Sequence, residues 1–240
     1  MSNYYDDRAT TSFGQRSLSS VSDVNAFMRQ VFTTMALGLL ITGMTAWYVA
    51  NTPALFQFFM MTPLRWVVMF APLIFVFFLA ARINRMSFTA ASITFASYAL
   101  INGISFSFIF MVYNLGSVSK VFLITAGTFG AMALVGLTTK IDLSKLGSIL
   151  YMALIGIIIA SLVNFFMRSP MMDYIISIVG VLVFSGLTAY DTQKLLHIGS
   201  SVDPETEGAK KMALMGALNL YLDFINLFLF LLRIFGGSRD

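Results

Sequence analysis

Seven runs of predominantly apolar residues follow one another along the chain, and they constrain its fold more than any other feature. A helix needs about 20 apolar residues to cross the ~30 Å hydrocarbon layer of a bilayer. Turn-like segments that contain Pro, Gly, Asn or charged residues separate the runs. The sequence therefore predicts seven membrane spans: Phe27–Ala50, Leu64–Ala81, Phe88–Val112, Val118–Thr138, Leu146–Met167, Met172–Leu196 and Ala213–Phe235.

The composition favours an integral membrane protein and excludes several other classes. Hydrophobic residues make up 58% of the chain and charged residues 11%, against about 25% charged in soluble domains. Cysteine is absent and His197 is the single histidine, so no disulfide framework, thiolate chemistry or histidine-rich metal centre is expected. The net charge of +4 is the modest basic excess that cytoplasmic loops carry, and it does not indicate nucleic-acid binding.

The first 23 residues differ from the rest of the chain. Met1–Asp23 is polar and rich in Ser and Thr, with no apolar core of a signal peptide. We interpret it as a flexible cytoplasmic tail, followed by a membrane domain at 24–240. With the N-terminus inside, inner segments hold ten of the Lys and Arg residues and outer segments five. This distribution predicts a cytoplasmic N-terminus and an external C-terminus.

Two aspartates stand out in the predicted spans. Asp191 is near the inner end of span six, in G-L-T-A-Y-D-T-Q-K-L-L at 186–196. Asp223 is inside span seven, in L-N-L-Y-L-D-F-I-N-L-F-L-F-L-L at 218–232. A carboxylate in hydrocarbon costs at least ~2.5–3.5 kcal/mol, so such residues face a cavity, pair with a cation or bind a proton. Both are therefore candidate functional residues.

Span seven carries a polar stripe. Its members recur at intervals of three, four, three and seven residues, which places them on one helix face: Gly216, Asn219, Asp223, Asn226 and Arg233. This pattern predicts a helix whose polar side lies on a watery cleft. Asn219 and Asn226 would line that ion pathway beside the acid.

The two aspartates are expected to approach each other, because one loop joins spans six and seven and makes them antiparallel neighbours. Close contact requires span six to continue inward as helix, or span seven to begin well before Ala213. Two carboxylates in contact do not readily both ionise, so they share a proton. Arg82 and Arg85, at the inner end of span two, are on the correct side to pair with the anion. The alternative is that each aspartate only satisfies a local hydroxyl or backbone donor.

Smaller patterns predict contacts between helices. Gly127 and Gly130 provide a small-residue surface in span four. Tyr98, Asn102 and Ser105 share one face of span three, where they either line the cleft or hydrogen-bond to a neighbouring helix.

The residues around both aspartates are similar to a known family. G-L-T-A-Y-D-T-Q-K-L at 186–195 and L-N-L-Y-L-D-F-I-N-L-F-L-F-L-L-R-I-F-G at 218–236 strongly resemble the two signatures of the transmembrane Bax inhibitor motif family, especially its bacterial YccA-like branch. The resemblance covers the whole chain. It implies an all-α membrane fold in which six helices wrap around a central seventh.

The resemblance also implies a function. Bacterial members act as pH-sensitive calcium leak proteins of the inner membrane, with an aspartate pair as sensor; Asp191 and Asp223 match that pair. An arginine at the inner end of span two latches the closed state, and either Arg82 or Arg85 matches it. Calcium suits the chemistry, because it takes oxygen ligands and the two carboxylates would contact it in transit. No enzymatic activity and no resident cofactor are expected.

Three other functions compete with the calcium leak. An intramembrane aspartyl protease also uses two membrane aspartates, and Tyr190-Asp191 matches its Tyr-Asp, but no Gly-x-Gly precedes Asp223. A retinal protein needs a mid-span lysine, and every lysine lies at a span end. The alternative that stays open is a regulator and substrate of a membrane-bound quality-control protease, without transport. The expected partners are the lipid bilayer, calcium and, in the alternative, that protease.

Overall fold

The computed structural model describes residues 21–237, and within that range the chain forms helices and no β-strand. A 3₁₀ turn at Ile83–Arg85 follows the third helix. The helices in chain order are α1 (Val21–Ala50), α2 (Pro53–Met60), α3 (Leu64–Arg82), α4 (Phe88–Phe106), α5 (Ile109–Val112), α6 (Leu115–Thr138), α7 (Ser144–Met167), α8 (Pro170–Gly199) and α9 (Glu207–Phe235).

The number of membrane spans agrees with the sequence pattern. Six segments are long and apolar enough to cross a bilayer, with α4 and α5 counted as one segment. They become seven if α2 and α3, which are bent by 80° at a short break, form one broken span. The all-α membrane fold is therefore confirmed. The sequence pattern did not predict α2, because eight residues are too short to register as a span.

Polar side chains fix where several helices begin. An oxygen at the residue before the first turn accepts a hydrogen bond from a free backbone N–H of that turn, which the helix itself cannot satisfy. Proline is also the first residue of α2 and α8, where its missing N–H costs nothing. The capping residues are Ser87 for α4, Asn114 for α6, Ser169 for α8 and Thr206 for α9.

Several helix ends lie beyond the predicted positions. The first helix begins at Val21, inside the predicted tail; residues 1–20 of that tail lie outside the described residues. Helix α8 continues to Gly199 and α9 begins at Glu207. Both extensions that would bring the two aspartates together are thus present. Polar residues at these ends lower the local hydropathy without preventing helix formation.

Helix α9 is the most deeply buried of the spans. In its most apolar 18-residue window 67% of the residues are buried, against 11% for α7. It packs mainly on α8, α1, α6 and α4, whereas α3 packs mainly on α4, and α7 on α8. The arrangement of six helices around a central seventh therefore stays a prediction, since two of the spans contact α9 little.

Glycines permit the closest helix contacts at positions that differ from those predicted. A methyl group on Gly136 of α6 would collide with the backbone carbonyl oxygen of Ala189 in α8. By contrast, a methyl group on Gly127 or Gly130 would meet no atom within 4 Å among the described residues. The α6–α8 contact therefore depends on Gly136.

Candidate functional site

Helices α8 and α9 form the most extensive helix pair, and their register is antiparallel. Gly216 of α9 lies against Leu195 of α8, and Gly180 of α8 lies against Phe230 of α9. In this register, position 220 is level with residue 191. Asp223 is therefore about one helical turn, ~5 Å, further along the axis.

Both acids are buried inside the protein. Asp191 is 4% exposed and Asp223 is 5% exposed. Each carboxylate acts electrostatically on the same phenol, that of Tyr151 in α7, and Asp191 also acts on Asp223. The predicted pairing of spans six and seven is thus confirmed, and the two carboxyl groups share one neighbourhood.

Asp191 has a hydrogen-bond donor that the sequence pattern did not indicate. The Tyr151 hydroxyl donates to Asp191 Oδ1 at 3.4 Å, and the Tyr151 ring meets the Tyr190 ring edge-on. Lys194, one turn along α8, lines the same cavity as this carboxylate, and the two do not form an ion pair within residues 21–237. Tyr151 belongs to α7, which carries no recognisable motif, so only the packing of α7 on α8 reveals it.

Asp223 is less well satisfied than Asp191. Its Oδ2 atom is buried and has no hydrogen-bond partner among residues 21–237. Buried carboxyl oxygens are normally paired, because leaving one unpaired costs free energy of about 1–3 kcal/mol or more. An orphaned oxygen at the centre of a protein is typical of a site where protons or ions bind.

A cavity of about 160 Å³ reaches Asp191 from the inner end of the bundle, which is the end that charge distribution predicts to be cytoplasmic. Gly216 and Asn219 from the stripe line it, and Asp223 does not. Asn226 uses its side-chain amide locally, on the carbonyl oxygen of Leu222. The polar stripe is therefore a short inner cavity followed by packed residues, and not an open cleft along the whole helix.

The outer part of the stripe has a separate role. Arg233 pairs with Asp173 of α8 at 3.3 Å, and both side chains are about half exposed. This ion pair joins the outer ends of α8 and α9, far along both helices from the two buried acids.

The structure does not bring Arg82 or Arg85 to the aspartates. Both arginines are exposed, and the Arg82 guanidinium lies over the Phe78 ring. Neither forms an ion pair with an acid in the part of the chain that the structure describes. Next to Arg85 in the chain, the carbonyl oxygen of Met86 accepts a hydrogen bond from Lys211 of α9, which leaves both arginines apart from the acids. Their latch role stays a prediction.

The junction that carries both arginines lies level with the start of α9. Lys211 precedes Asp223 by twelve residues, which is ~18 Å along a helix. In this arrangement a guanidinium could contact either carboxylate only after an arginine moved toward the middle of the membrane, or after α9 slid along its axis toward the arginines.

A second cluster of polar side chains lies on the opposite side of α9, around Tyr221. The sequence pattern did not predict that these side chains contact one another. The Tyr221 hydroxyl is 2.8 Å from Thr42 Oγ1 of α1, and its ring meets Phe95 and Tyr98 edge-on. Asn102 is buried beside these rings. These contacts join α9 to α1 and α4.

For Ser105, the structure decides between the two predictions. Its hydroxyl donates to the Val68 carbonyl oxygen at 2.6 Å, so this residue hydrogen-bonds between α4 and α3 and does not line the inner cavity.

Few groups in the described range could hold a metal ion. Residues 21–237 contain no cluster of three or more His, Asp or Glu side chains with suitable geometry. What the neighbourhood offers is two carboxylates and the amide oxygen of Asn219, all hard donors of the kind that calcium takes. This set is too small for a closed cage.

The fold and the buried acid pair define a class of protein, a helical membrane protein with two acids buried between adjacent helices. The chain belongs to the Bax inhibitor-1 family. Residues 24–240 match the sequence model of the family described as "Inhibitor of apoptosis-promoting Bax1". The family predicted from the two signatures is therefore confirmed.

Several relatives, all from bacteria, cover nearly the whole chain. The chain is 45% identical over 218 residues to the inner membrane protein YbhL of Escherichia coli strain K12, covering 90% of this chain and 93% of YbhL. It is 41% identical over 217 residues to an uncharacterised protein of Borreliella burgdorferi, covering 90% and 94%. It is 39% identical over 214 residues to the uncharacterised protein RP147 of Rickettsia prowazekii, covering 89% and 90%.

Proposed function

We propose that this protein is a pH-sensitive calcium leak channel of the bacterial inner membrane, with Asp191 and Asp223 as its sensor. The observation that carries the proposal is the pair of buried carboxyl groups on adjacent helices, one of them with an unpartnered oxygen. The inner-membrane location is supported by the name of its relative YbhL.

The proton count of the pair sets the direction of the pH response. At low pH a shared proton leaves at most one charge on the pair, and the two helices stay packed. As pH rises the second carboxyl group ionises, and two buried like charges repel each other. The closed arrangement is therefore stable at low pH and loses stability as pH rises, so opening increases with pH.

The described structure corresponds to the closed arrangement in this scheme. The inner cavity ends beside Asp191 and Asn219. From Phe224 outward, one face of α9 is packed: Phe224 contacts Phe122 and Phe129 of α6, and Leu227 is fully buried. Beside it, Phe224, Ile225 and Phe228 line an apolar cavity of about 360 Å³, which offers an ion no polar ligand of α9. Separation of α8 from α9 at the acids would have to open this outer segment for an ion to pass.

Calcium suits the pair on charge and ligand type. Two ionised carboxylates and an amide oxygen attract a hard divalent cation, and a site with few ligands releases its ion readily, as conduction requires. In this role calcium is the transported ion and not a resident cofactor.

The test is calcium flux into dye-loaded vesicles that contain the purified protein. We expect wild-type flux to rise from mildly acidic to mildly alkaline pH, and Asp223→Asn to respond far less because it cannot gain the second charge. Asp203→Asn is the matched control, because it makes the same change at an exposed position in the loop between α8 and α9.

Each outcome of the flux assay has a defined meaning. Equal pH responses in the wild type and in Asp223→Asn would refute the sensor assignment. A wild type without calcium flux under any condition would refute the leak function itself. That second result would favour the alternative, in which the protein regulates a membrane-bound protease and transports nothing.

A further inference from the structure

A second cavity, of about 280 Å³, lies at the inner end between the start of α7 and the last turns of α8. It differs from the cavity beside Asp191 in its lining, which is rich in groups that can donate hydrogen bonds. The lining residues are Ser144, Tyr190, Gln193, Lys194, His197, Ile198 and Ser201.

The surroundings of this cavity are electropositive. Lys194 and His197 lie in it, and neither forms an ion pair within residues 21–237. Asp142 is the acid of the adjoining loop, and its carboxylate already accepts a hydrogen bond from the Ser144 backbone N–H. Hydrogen bonds from Ser144, and then the charges of His197 and Lys145, hold the pKa of Asp142 below its usual value.

The wall of the cavity is held in place by one buried side chain. The Gln193 amide donates to the Ile141 carbonyl oxygen at 2.8 Å and accepts from the Leu143 N–H at 2.9 Å. These two bonds tie the 139–143 loop to α8. Lys194 and His197 of α8 are thus presented beside a fixed loop, with Lys194 extended over the Tyr190 ring.

Apolar side chains adjoin the basic groups. Ile141, Leu146 and Ile149 are exposed by 72%, 43% and 57%, in the loop and the first turns of α7. A cation at the end of a membrane helix, next to exposed aliphatic side chains, suits a ligand with a charged head and apolar tails. A free inorganic anion would gain nothing from these apolar residues.

We infer that this cavity binds the phosphate group of an anionic phospholipid from the leaflet at the inner end. Lys194 and His197 contact the phosphate, and the acyl chains lie along the exposed aliphatic residues of α7. This site is separate from the aspartate pair and does not depend on calcium transport.

The site has one consequence for the proposed channel. Lys194 lines both cavities, and in the smaller one it lies near Asp191. A phosphate in the basic cavity would draw this ammonium group away from the carboxylate. This consequence, unlike the lipid site itself, rests on the proposed function.

The experiment is native mass spectrometry of the full-length protein in detergent, with added phosphatidylglycerol or phosphatidylcholine. We expect phosphatidylglycerol to be retained in preference to phosphatidylcholine. Lys194→Gln should weaken that retention roughly fivefold, because a lysine at a membrane surface contributes about that factor. His197→Gln should weaken it less, because it removes a hydrogen-bonding group and not a permanent charge. Lys120→Gln is the matched control, because Lys120 is an exposed cation near the start of α6, at the opposite end of the helix bundle from the cavity. This substitution should leave the retention unchanged.

The remaining outcomes overturn the inference. Equal retention of both lipids, or an equal loss of retention in Lys120→Gln, would mean that lipid binds to general surface charge. Displacement of phosphatidylglycerol by an equal concentration of inorganic phosphate would show that the cavity takes a free anion and not a lipid. Because lipid binding is measured without calcium flux, failure of the leak function would leave this test intact.

Discussion

Replacement of Gly136 by alanine gives the sharpest test of how α6 positions the acid-bearing helix. The added methyl carbon would lie 3.0 Å from Thr192 Cβ and would collide with the Ala189 carbonyl oxygen. Carbon atoms in good contact are about 3.5–4.0 Å apart, so α6 and α8 must separate by roughly 0.5–1 Å. The obstacle is backbone, which cannot change rotamer to make room.

The expected loss follows from two opposing effects. Overpacking of a well-packed contact costs about 1–3 kcal/mol, whereas replacement of a helical glycine by alanine returns about 0.5–1 kcal/mol. We therefore expect Gly136→Ala to lower the free energy of unfolding by up to about 2.5 kcal/mol, and to be about 1–3 kcal/mol less stable than a glycine-to-alanine change without the collision. Ala189 is two residues before Asp191, so the same displacement moves the inner carboxylate.

A matched control lies in the same helix. A methyl group on Gly130 meets no atom within 4 Å among the described residues, so Gly130→Ala keeps only the favourable helix effect. Reversible unfolding in mixed detergent micelles measures both variants. If Gly136→Ala were as stable as Gly130→Ala, the described approach of α6 to α8 would be wrong.

Two further predictions concern the contacts that fasten α9 to its neighbours. Tyr221→Phe removes the hydroxyl that is hydrogen-bonded to Thr42; we expect the free energy of unfolding to fall by about 0.5–1.5 kcal/mol, and an unchanged unfolding midpoint would contradict that bond. Arg233→Gln breaks the pair with Asp173, whose partners are about half exposed; because water screens such pairs, the same unfolding assay should show a loss of no more than about 1 kcal/mol. A larger loss would mean that this pair is buried in the membrane-embedded protein.

Residues close in sequence account for most of what could be predicted about the helices. The apolar runs predicted the long spans, and α2 lies in the gap between the first two predicted spans, with Pro53 as its first residue. Span three, predicted to run from Phe88 to Val112, is divided after Phe106, where α4 ends and α5 follows. Asn102 and Gly103 lie inside α4 and are buried. A single polar residue and a glycine do not interrupt a helix whose neighbours pack against them.

The candidate site was predicted in part. Asp191 and Asp223 were identified because a charge in an apolar run is conspicuous in any sequence. Tyr151 was not, because a tyrosine in a membrane helix is unremarkable until another helix places a carboxylate 3.4 Å from its hydroxyl. The arginines were predicted near the acids from the side of the membrane alone, which fixes depth only loosely and says nothing about distance across the bundle.

The sequence by itself determined that this chain is a helical membrane protein of the Bax inhibitor-1 family with two acids in its apolar segments, because hydropathy and local motifs are properties of neighbouring residues. Only the tertiary structure decided that both acids are buried on adjacent antiparallel helices, that the inner cavity reaches Asp191 and not Asp223, and that Gly136 brings α6 against the helix that carries Asp191. The physical reason is that these features depend on how helices distant in sequence fit together, through side-chain volume and register, and no local pattern records that fit.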